Sequence, residues 1–111
     1  MSAITINLVI EQGTDFSATF TIKNSDGSPV NLLGFTGESS LKTSYYTNNS
    51  TPIGVTFVDR SKGIIKLTLS DTITTTLKPR RYVYDIVLTS PSGVRTRVIE
   101  GIATVTPGVT V

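Results

Sequence analysis

The sequence has 111 residues, with ten basic and eight acidic side chains and neither cysteine nor histidine. The length suits a single domain over residues 1–111, because domains cluster at roughly 100 to 150 residues. The missing residue types exclude disulfides, thiolate metal sites and histidine-based catalysis, and a net charge of +2 is too small to indicate nucleic-acid binding. We therefore expect no metal, no other cofactor and no nucleic-acid partner.

Serine and threonine supply 31 of the 111 residues, which favours strands and turns over helices. Residues 3–10 alternate apolar and polar side chains and predict a half-buried first strand. This start has no basic region and its apolar run is short, so we expect no signal peptide and no membrane helix. Residues 15–23 alternate most regularly and predict the second strand. The expected inward side chains of the two strands are Ile4, Ile6, Leu8, Ile10, Phe16, Ala18, Phe20 and Ile22.

A turn and an ordered connection are expected after the second strand. Residues 24–29 contain an Asp-Gly pair, which favours the positive-φ turn of a hairpin. Residues 30–35 are expected to place Leu33 and Phe35 over one end of the core. Further strands are predicted at residues 36–46, 53–59, 64–69, 80–89 and 94–106, with a polar surface loop at residues 47–52 and a hairpin formed by the strands at 53–59 and 64–69.

The strand at residues 80–89 is predicted to be central, because both of its faces carry apolar side chains. One face holds Tyr82, Tyr84, Ile86 and Leu88, and the other holds Val83 and Val87. Residues 70–79 before it predict one helical turn, capped by Ser70 or Asp71 and ended by Pro79. In the last strand, Gly101 suggests a bulge or bend. Residues 107–111 lack an evident partner and are interpreted as a possible C-terminal arm.

About seven strands with frequent turn signals predict an all-β fold, a single immunoglobulin-like antiparallel β-sandwich. Tyr82 near the start of the central strand resembles the tyrosine corner of such sandwiches. Asp71 and Asp85 are interpreted as a helix cap and an outward strand residue paired with an arginine, and the aspartates at turns lack calcium-loop spacing. We therefore expect a protein that is not an enzyme.

Four arginines form the main basic grouping: Arg80, Arg81, Arg95 and Arg97. If the last two strands pair, these side chains gather on one sheet face. Such a face is either a patch for an acidic protein partner or a solvated surface with cross-strand pairs to Asp85 or Glu100, and the second interpretation is favoured.

The order of several short segments resembles a family of small virion proteins of tailed bacteriophages. The segments are residues 11–16 (EQGTDF), 26–36 (DGSPVNLLGFT), 67–70 (LTLS), 81–86 (RYVYDI), 97–101 (RVIEG) and 105–107 (VTP). Relatives include immunoglobulin-like modules such as the N-terminal domain of the lactococcal baseplate upper protein, which attaches receptor-binding parts to a tail. This chain departs from the pattern at residues 78–81 (KPRR), where relatives often carry Pro-x-Gly.

The resemblance implies a structural, non-enzymatic protein of the virion, assembled in the host cytoplasm among other virion proteins and as a homo-oligomer. A tail or baseplate adaptor is favoured, and a capsid decoration protein is the alternative. A carbohydrate-binding or host-surface module with Tyr45 and Tyr46 as its platform is a further alternative. Assembly is expected through strand edges and terminal arms, because the first strand and the tail are uncharged. The candidate partner-binding residues are Ile4, Ile6, Leu8, Arg95, Arg97, Val105, Val109 and Val111.

Overall fold

Strands dominate the chain. The structure, a computed structural model, describes residues 3–44, 46 and 49–110. Its strands are β1 (Ile4–Thr5), β2 (Leu8–Glu11), β3 (Phe16–Thr21), β4 (Thr36–Lys42), β5 (Thr51–Asp59), β6 (Ile64–Leu69), β7 (Arg81–Thr89) and β8 (Arg95–Thr106). A 3-10 turn spans Arg60–Lys62, and one short helix, α1, spans Asp71–Thr76. The predicted all-β class is confirmed.

The two layers of the sandwich share one strand. Strand β5 pairs with β4 through residues 51–53 and with β6 through residues 54–59. The strands therefore form one curled sheet in the order β1-β8-β7-β4-β5-β6-β3, with β2 also paired to β8. The fold is an immunoglobulin-like sandwich, as predicted.

The N-terminal strands differ in direction from the others. β1 and β2 lie parallel to β8, with Ile4 opposite Ile99 and Leu8 opposite Ala103, whereas the other named strand pairs of the described chain are antiparallel. Side chains alternate in the same way in parallel and antiparallel strands, so the sequence pattern did not reveal the parallel direction of β1 and β2. The inward prediction holds for Leu8 and Ile10, whereas Ile4 at the end of the edge is 55% exposed.

Strand β7 is central, as predicted, and lies between β4 and β8. The core contains Tyr82, Tyr84, Ile86 and Leu88, and the opposite face of β7 is half-buried. The Tyr82 hydroxyl donates a hydrogen bond of 2.9 Å to the Lys78 carbonyl oxygen, four residues upstream. A bond from this hydroxyl to the backbone a few residues upstream is typical of the tyrosine corner, which Tyr82 resembles in sequence.

The bulge in β8 lies three residues before the predicted position. Ile86 of β7 pairs with Ile99, whereas the next residue, Val87, pairs with Arg97, so Val98 is the extra residue. Both Val98 and Ile99 are buried. Because the bulge resets the alternation, Arg97 before it and Glu100 after it both stay out of the core.

The connection at residues 30–35 buries a different leucine from the predicted one. Leu32 is fully buried, whereas Leu33 is 71% exposed. The Asn31 side-chain oxygen accepts a hydrogen bond of 3.0 Å from the Leu33 amide, and this local turn directs Leu33 outward. Phe35 is partly buried against the core, as expected.

Arg60 holds this connection against the 3-10 turn. Its Nη1 donates to the carbonyl oxygens of Leu32 at 3.0 Å and Phe35 at 2.7 Å. Its guanidinium carbon lies 4.0 Å from the centre of the Phe57 ring. The planar guanidinium stacks on the Phe57 ring and donates two hydrogen bonds, so it fixes residues 30–35 over the end of the core.

Helix α1 forms where one helical turn was predicted, but its cap comes from another part of the chain. Ser70 makes no side-chain cap hydrogen bond. Instead, Asp15 Oδ1 accepts a hydrogen bond of 2.8 Å from the Asp71 amide. The Thr74 hydroxyl, fully buried, donates to the Thr14 carbonyl oxygen at 2.7 Å. The helix is thus tied to the start of β3.

Replacing Arg60 tests the role of this side chain. We expect Arg60→Ala to lower the free energy of unfolding by about 2–3 kcal/mol, because two carbonyl oxygens lose a charged donor. Arg60→Lys should recover only part of the lost stability, since an ammonium group cannot stack flat on the ring or present the planar, forked set of donors of a guanidinium. The exposed Arg80 is the control, and Arg80→Ala should change stability by less than about 0.5 kcal/mol in urea unfolding. Equal effects of the two alanine variants would contradict the assignment.

Candidate functional site

The curled sheet has two open edges. Within the described chain, β1 and β2 pair only with β8, and β3 is the last strand at the other end and pairs only with β6. The predicted edge position of the first strand agrees with this arrangement. Open edges present unpaired amide and carbonyl groups, which are the groups that a further strand binds. The candidate functional site therefore consists of these edges and the groove between them.

The ladder between the N-terminal edge and β8 is interrupted between β1 and β2. The Ile6 amide donates to the Glu100 carbonyl oxygen at 2.9 Å, but the Ile6 carbonyl oxygen accepts from the Tyr84 hydroxyl at 2.6 Å. The Ile102 amide donates instead to the Asn7 side-chain oxygen at 3.1 Å. A Cβ at Gly101 would overlap the Ile6 carbonyl oxygen, so this glycine permits close approach and does not form the bulge.

Tyr84 is the buried member of this contact, with 2% of its surface exposed. Burial raises the pKa of its phenol to about 12. The hydroxyl therefore remains a donor at neutral pH and holds the Ile6 carbonyl oxygen at this interruption.

Strand β3 is uncharged and pairs with β6 without a bulge. The Ile22 amide donates to the Gly63 carbonyl oxygen at 2.7 Å, in the register that pairs Phe20 with Ile65. Hydrogen-bonded pairs alternate in an antiparallel ladder, so the even-numbered residues of β3 bond to β6. The amide and carbonyl groups of the odd-numbered residues therefore point to the open edge. These residues are Ser17, Thr19 and Thr21.

An apolar groove of about 270 Å³ lies between the two edges. It is lined by Ile4 and Ile6 on one side, by residues 19–23 on the other, and by Val98 and Ile99 at its base. Lys23 lies at this groove and its side chain makes no ion pair with any described residue. The site thus combines free backbone groups, an apolar surface and one unpaired cation.

The sequence-predicted apolar partner residues have different positions. Leu8 and Val105 are buried in the core, so their side chains are not available to a partner without unfolding. Ile4 is exposed and Ile6 half-buried at the groove, whereas Val109 is fully exposed in the tail. Val111 lies outside the described residues. Of the described apolar candidates, only Ile4 and Ile6 come together at one site, and the partner-binding role itself stays a prediction.

Arg95 and Arg97 lie on the outer face of β8. Arg97 Nε is 3.0 Å from Asp85 Oδ2, and Arg97 Nη1 is 3.8 Å from Glu100 Oε2. Arg95 Nη2 is 3.8 Å from Glu38 Oε2. Both arginines, together with Asp85 and Glu38, line a shallow concavity of about 340 Å³. The interpretation of a cross-strand pair to Asp85 is confirmed for Arg97, whereas its contact with Glu100 lies within β8.

The four arginines do not form one patch. Arg95 is opposite Thr89 at one end of β7, whereas Arg81 is opposite Thr104 at the other end. Arg80, adjacent to Arg81, stacks at 5.8 Å from the Tyr82 ring centre. The pairing of β7 with β8 therefore separates the arginines along the strand direction.

The acidic residues have local structural contacts. Asp85 pairs with Arg97, as interpreted from sequence. Asp71 is the first residue of α1 and its Oδ1 accepts from the adjacent Thr72 amide, so it is not the helix cap that the sequence suggested. Among the residues that the structure describes, no group of three or more acidic side chains is placed to hold a metal ion. No helix in this part of the chain is long and apolar enough to span a membrane.

The predicted aromatic platform is only partly within the structure. Tyr46 is 96% exposed, whereas Tyr45 and residues 47–48 lie outside the described residues. The carbohydrate-binding alternative stays a prediction.

The β3 edge was missed by the sequence analysis, which named the first strand and the tail. The uncharged alternation of Ser17, Thr19 and Thr21 was visible in the sequence. Its position at an edge was not, because β3 pairs with β6, which is distant in sequence.

Comparison with solved structures identifies the fold. The N-terminal domain of phage TP901-1 ORF48 has a TM-score of 0.59 and 14% identity, and the match covers 96% of this chain and 99% of that chain. The Lin-41 filamin domain has a TM-score of 0.50 and 10% identity, with 90% and 84% covered. In sequence, no family model and no curated protein matches the chain. At these identities the likeness shows the fold alone, which is immunoglobulin-like and shared with a phage-protein domain.

Removing the Tyr84 hydroxyl tests its contact with the N-terminal edge. We expect Tyr84→Phe to lower the free energy of unfolding by about 1–3 kcal/mol at neutral pH, since the Ile6 carbonyl oxygen loses its donor. Burial raises the pKa of Tyr84 from 10.0 to about 12, so its contribution is complete below pH 10 and is lost as the pH rises to 12.

The difference in stability between the wild-type protein and Tyr84→Phe should therefore shrink over that interval. Urea unfolding of both proteins across it is the measurement, with Tyr46→Phe as an exposed control that should leave stability unchanged at neutral pH. A difference that stays constant up to pH 12 would contradict the assignment.

Proposed function

We propose that the protein is a non-enzymatic structural component of a tailed-phage virion, with a position in the tail or baseplate as an adaptor between larger subunits. Its partners in this proposal are other virion proteins and further copies of itself. It is assembled in the host cytoplasm and located in the finished particle.

The observation that supports this proposal most is the full-length fold likeness to a phage-protein domain, which covers 96% of this chain and 99% of the other. Near-complete coverage of both chains means that the likeness extends over a whole module and not over one supersecondary motif. The resemblance of sequence segments such as residues 81–86 to small virion proteins supports the same role, independently of the fold comparison.

The strand edges supply a mechanism for assembly. Isolated soluble proteins usually guard open edges with charges, prolines or bulges, whereas an assembled component uses them to bind a neighbour. Thr5, Asn7 and Val9 on the N-terminal edge are uncharged, and Val9 is 64% exposed. An adaptor that adds a neighbour's strand at this edge needs no side-chain pocket, because main-chain groups supply the affinity.

Copy number tests the position in the particle. Particles are purified from the strain that carries the coding sequence, and the chain is quantified by mass spectrometry against the major capsid protein. A few to a few dozen copies per particle are expected for a ring in the tail or baseplate. Hundreds of copies would contradict the adaptor role and support capsid decoration, and absence from particles would overturn the virion role.

A charge on the N-terminal edge tests the mechanism. We expect Val9→Lys to reduce incorporation into particles and to leave the melting temperature nearly unchanged, because the side chain is exposed and a lysine guards the edge. Val94→Lys is the matched control, since Val94 is 60% exposed and lies in the loop between β7 and β8. Normal incorporation of Val9→Lys would exclude this edge from assembly.

A further inference from the structure

The β3 edge fits a second copy of the same strand. We propose that two copies of the protein pair in solution through β3, antiparallel, about a two-fold axis at Thr19. The inference concerns a contact between identical chains and does not rest on the virion role, because it follows from the register and the charges of β3.

The backbone groups that this pairing needs are the ones that β3 leaves without a bond to β6. With Thr19 at the axis, Thr19 lies opposite Thr19 of the second copy, and Ser17 lies opposite Thr21. These are the residues whose amide and carbonyl groups point away from β6. Facing residues of this type exchange two hydrogen bonds in an antiparallel ladder, so all three pairs are hydrogen-bonded.

The charges at the two ends of β3 select this register. With Thr19 at the axis, Asp15 of each copy lies opposite Lys23 of the other. Lys23 has no ion-pair partner among the described residues, and Asp15 uses Oδ1 for the Asp71 amide, which leaves Oδ2 available. A register shifted by two residues would bring the same backbone groups together but would move Asp15 away from Lys23. Because opposite charges across strands stabilise a pair, the register with Thr19 at the axis is favoured.

The composition of β3 favours pairing over solvent exposure. Phe16–Thr21 contains no charged residue, proline or glycine, and the ladder with β6 has no bulge. The N-terminal edge is less suitable for a straight ladder, because the Ile6 carbonyl oxygen turns towards Tyr84 and the Asn7 side chain replaces it as the acceptor for Ile102. The two edges are therefore not equivalent, and β3 is the one that fits a second copy.

Cysteine cross-linking tests the axis directly, because the chain contains no cysteine. At the axis, two Thr19 Cα atoms are expected about 5.5 Å apart, within the range of about 4.4–6.8 Å for disulfides. Thr19→Cys should form a disulfide-linked dimer on mild oxidation. Thr21→Cys, equally exposed on the same face but opposite Ser17, is the matched control and should cross-link far more slowly. Equal rates for the two variants would overturn the register.

Sedimentation equilibrium over a range of concentrations tests the pairing without a cross-link. Thr19→Pro removes an amide that does not bond to β6, so the fold should remain, whereas Thr19→Val keeps the amide. We expect the dimer dissociation constant to rise about tenfold or more for Thr19→Pro and to change little for Thr19→Val. A wild-type protein that stays monomeric at every concentration would overturn the proposal and leave β3 to a different protein.

A charge exchange tests the ends of the pair even if Thr19→Pro fails to fold. Lys23→Glu places a glutamate opposite Asp15 of the other copy at both ends of the pair. This repulsion should raise the dissociation constant roughly three- to tenfold at low salt. Adding Asp15→Lys to that variant restores opposite charges and should recover the affinity. Circular dichroism of each variant checks the fold, since Asp15 also caps α1. A double variant no tighter than Lys23→Glu would contradict the Asp15–Lys23 contact.

Discussion

The bonding of β5 to two neighbours determines where the sheet ends. Its first residues pair with β4 and the rest pair with β6, so both layers belong to one curled sheet. Within the described chain, hydrogen bonding along this path leaves β1 and β2 open at one end of the sheet and β3 open at the other, with the apolar groove between them. Because an exposed edge is the part of a β-sheet that still has backbone groups to satisfy, the path of β5 also decides where a partner strand can bind.

The two edges differ because their local contacts differ. At the N-terminal edge, the Ile6 carbonyl oxygen accepts from the Tyr84 hydroxyl, and the absence of a side chain at Gly101 permits the close approach, so the ladder with β8 is interrupted. The β3 edge has no such contact and keeps a regular antiparallel register along its whole length. A regular edge suits repeated, symmetric pairing, whereas an interrupted edge suits a neighbour that is shaped to it. The fold can therefore present two different interfaces to an assembly.

The sequence predicted the elements whose burial is decided locally and missed the features decided by distant contacts. The boundaries of β6 and the central position of β7 followed from alternation and from apolar side chains on both faces. The sequence pattern placed Leu33 in the core, because the pattern does not show the hydrogen bond from the Leu33 amide to the Asn31 side chain. That bond forms a local turn and directs Leu33 outward. The position of β3 at an edge depends on its pairing with β6 and was not accessible from the pattern of β3 alone.

The proposed pairing depends on the alternating use of the β3 backbone, and residue-resolved amide hydrogen exchange by NMR tests it most directly. In dilute protein, the amides of Ala18 and Phe20 should be protected by their bonds to β6, whereas those of Thr19 and Thr21 should exchange freely. At higher concentration, the Thr19 and Thr21 amides should become protected as the edge pairs. Equal protection of all four amides in dilute protein, or no gain at Thr19 and Thr21 on concentration, would contradict the account.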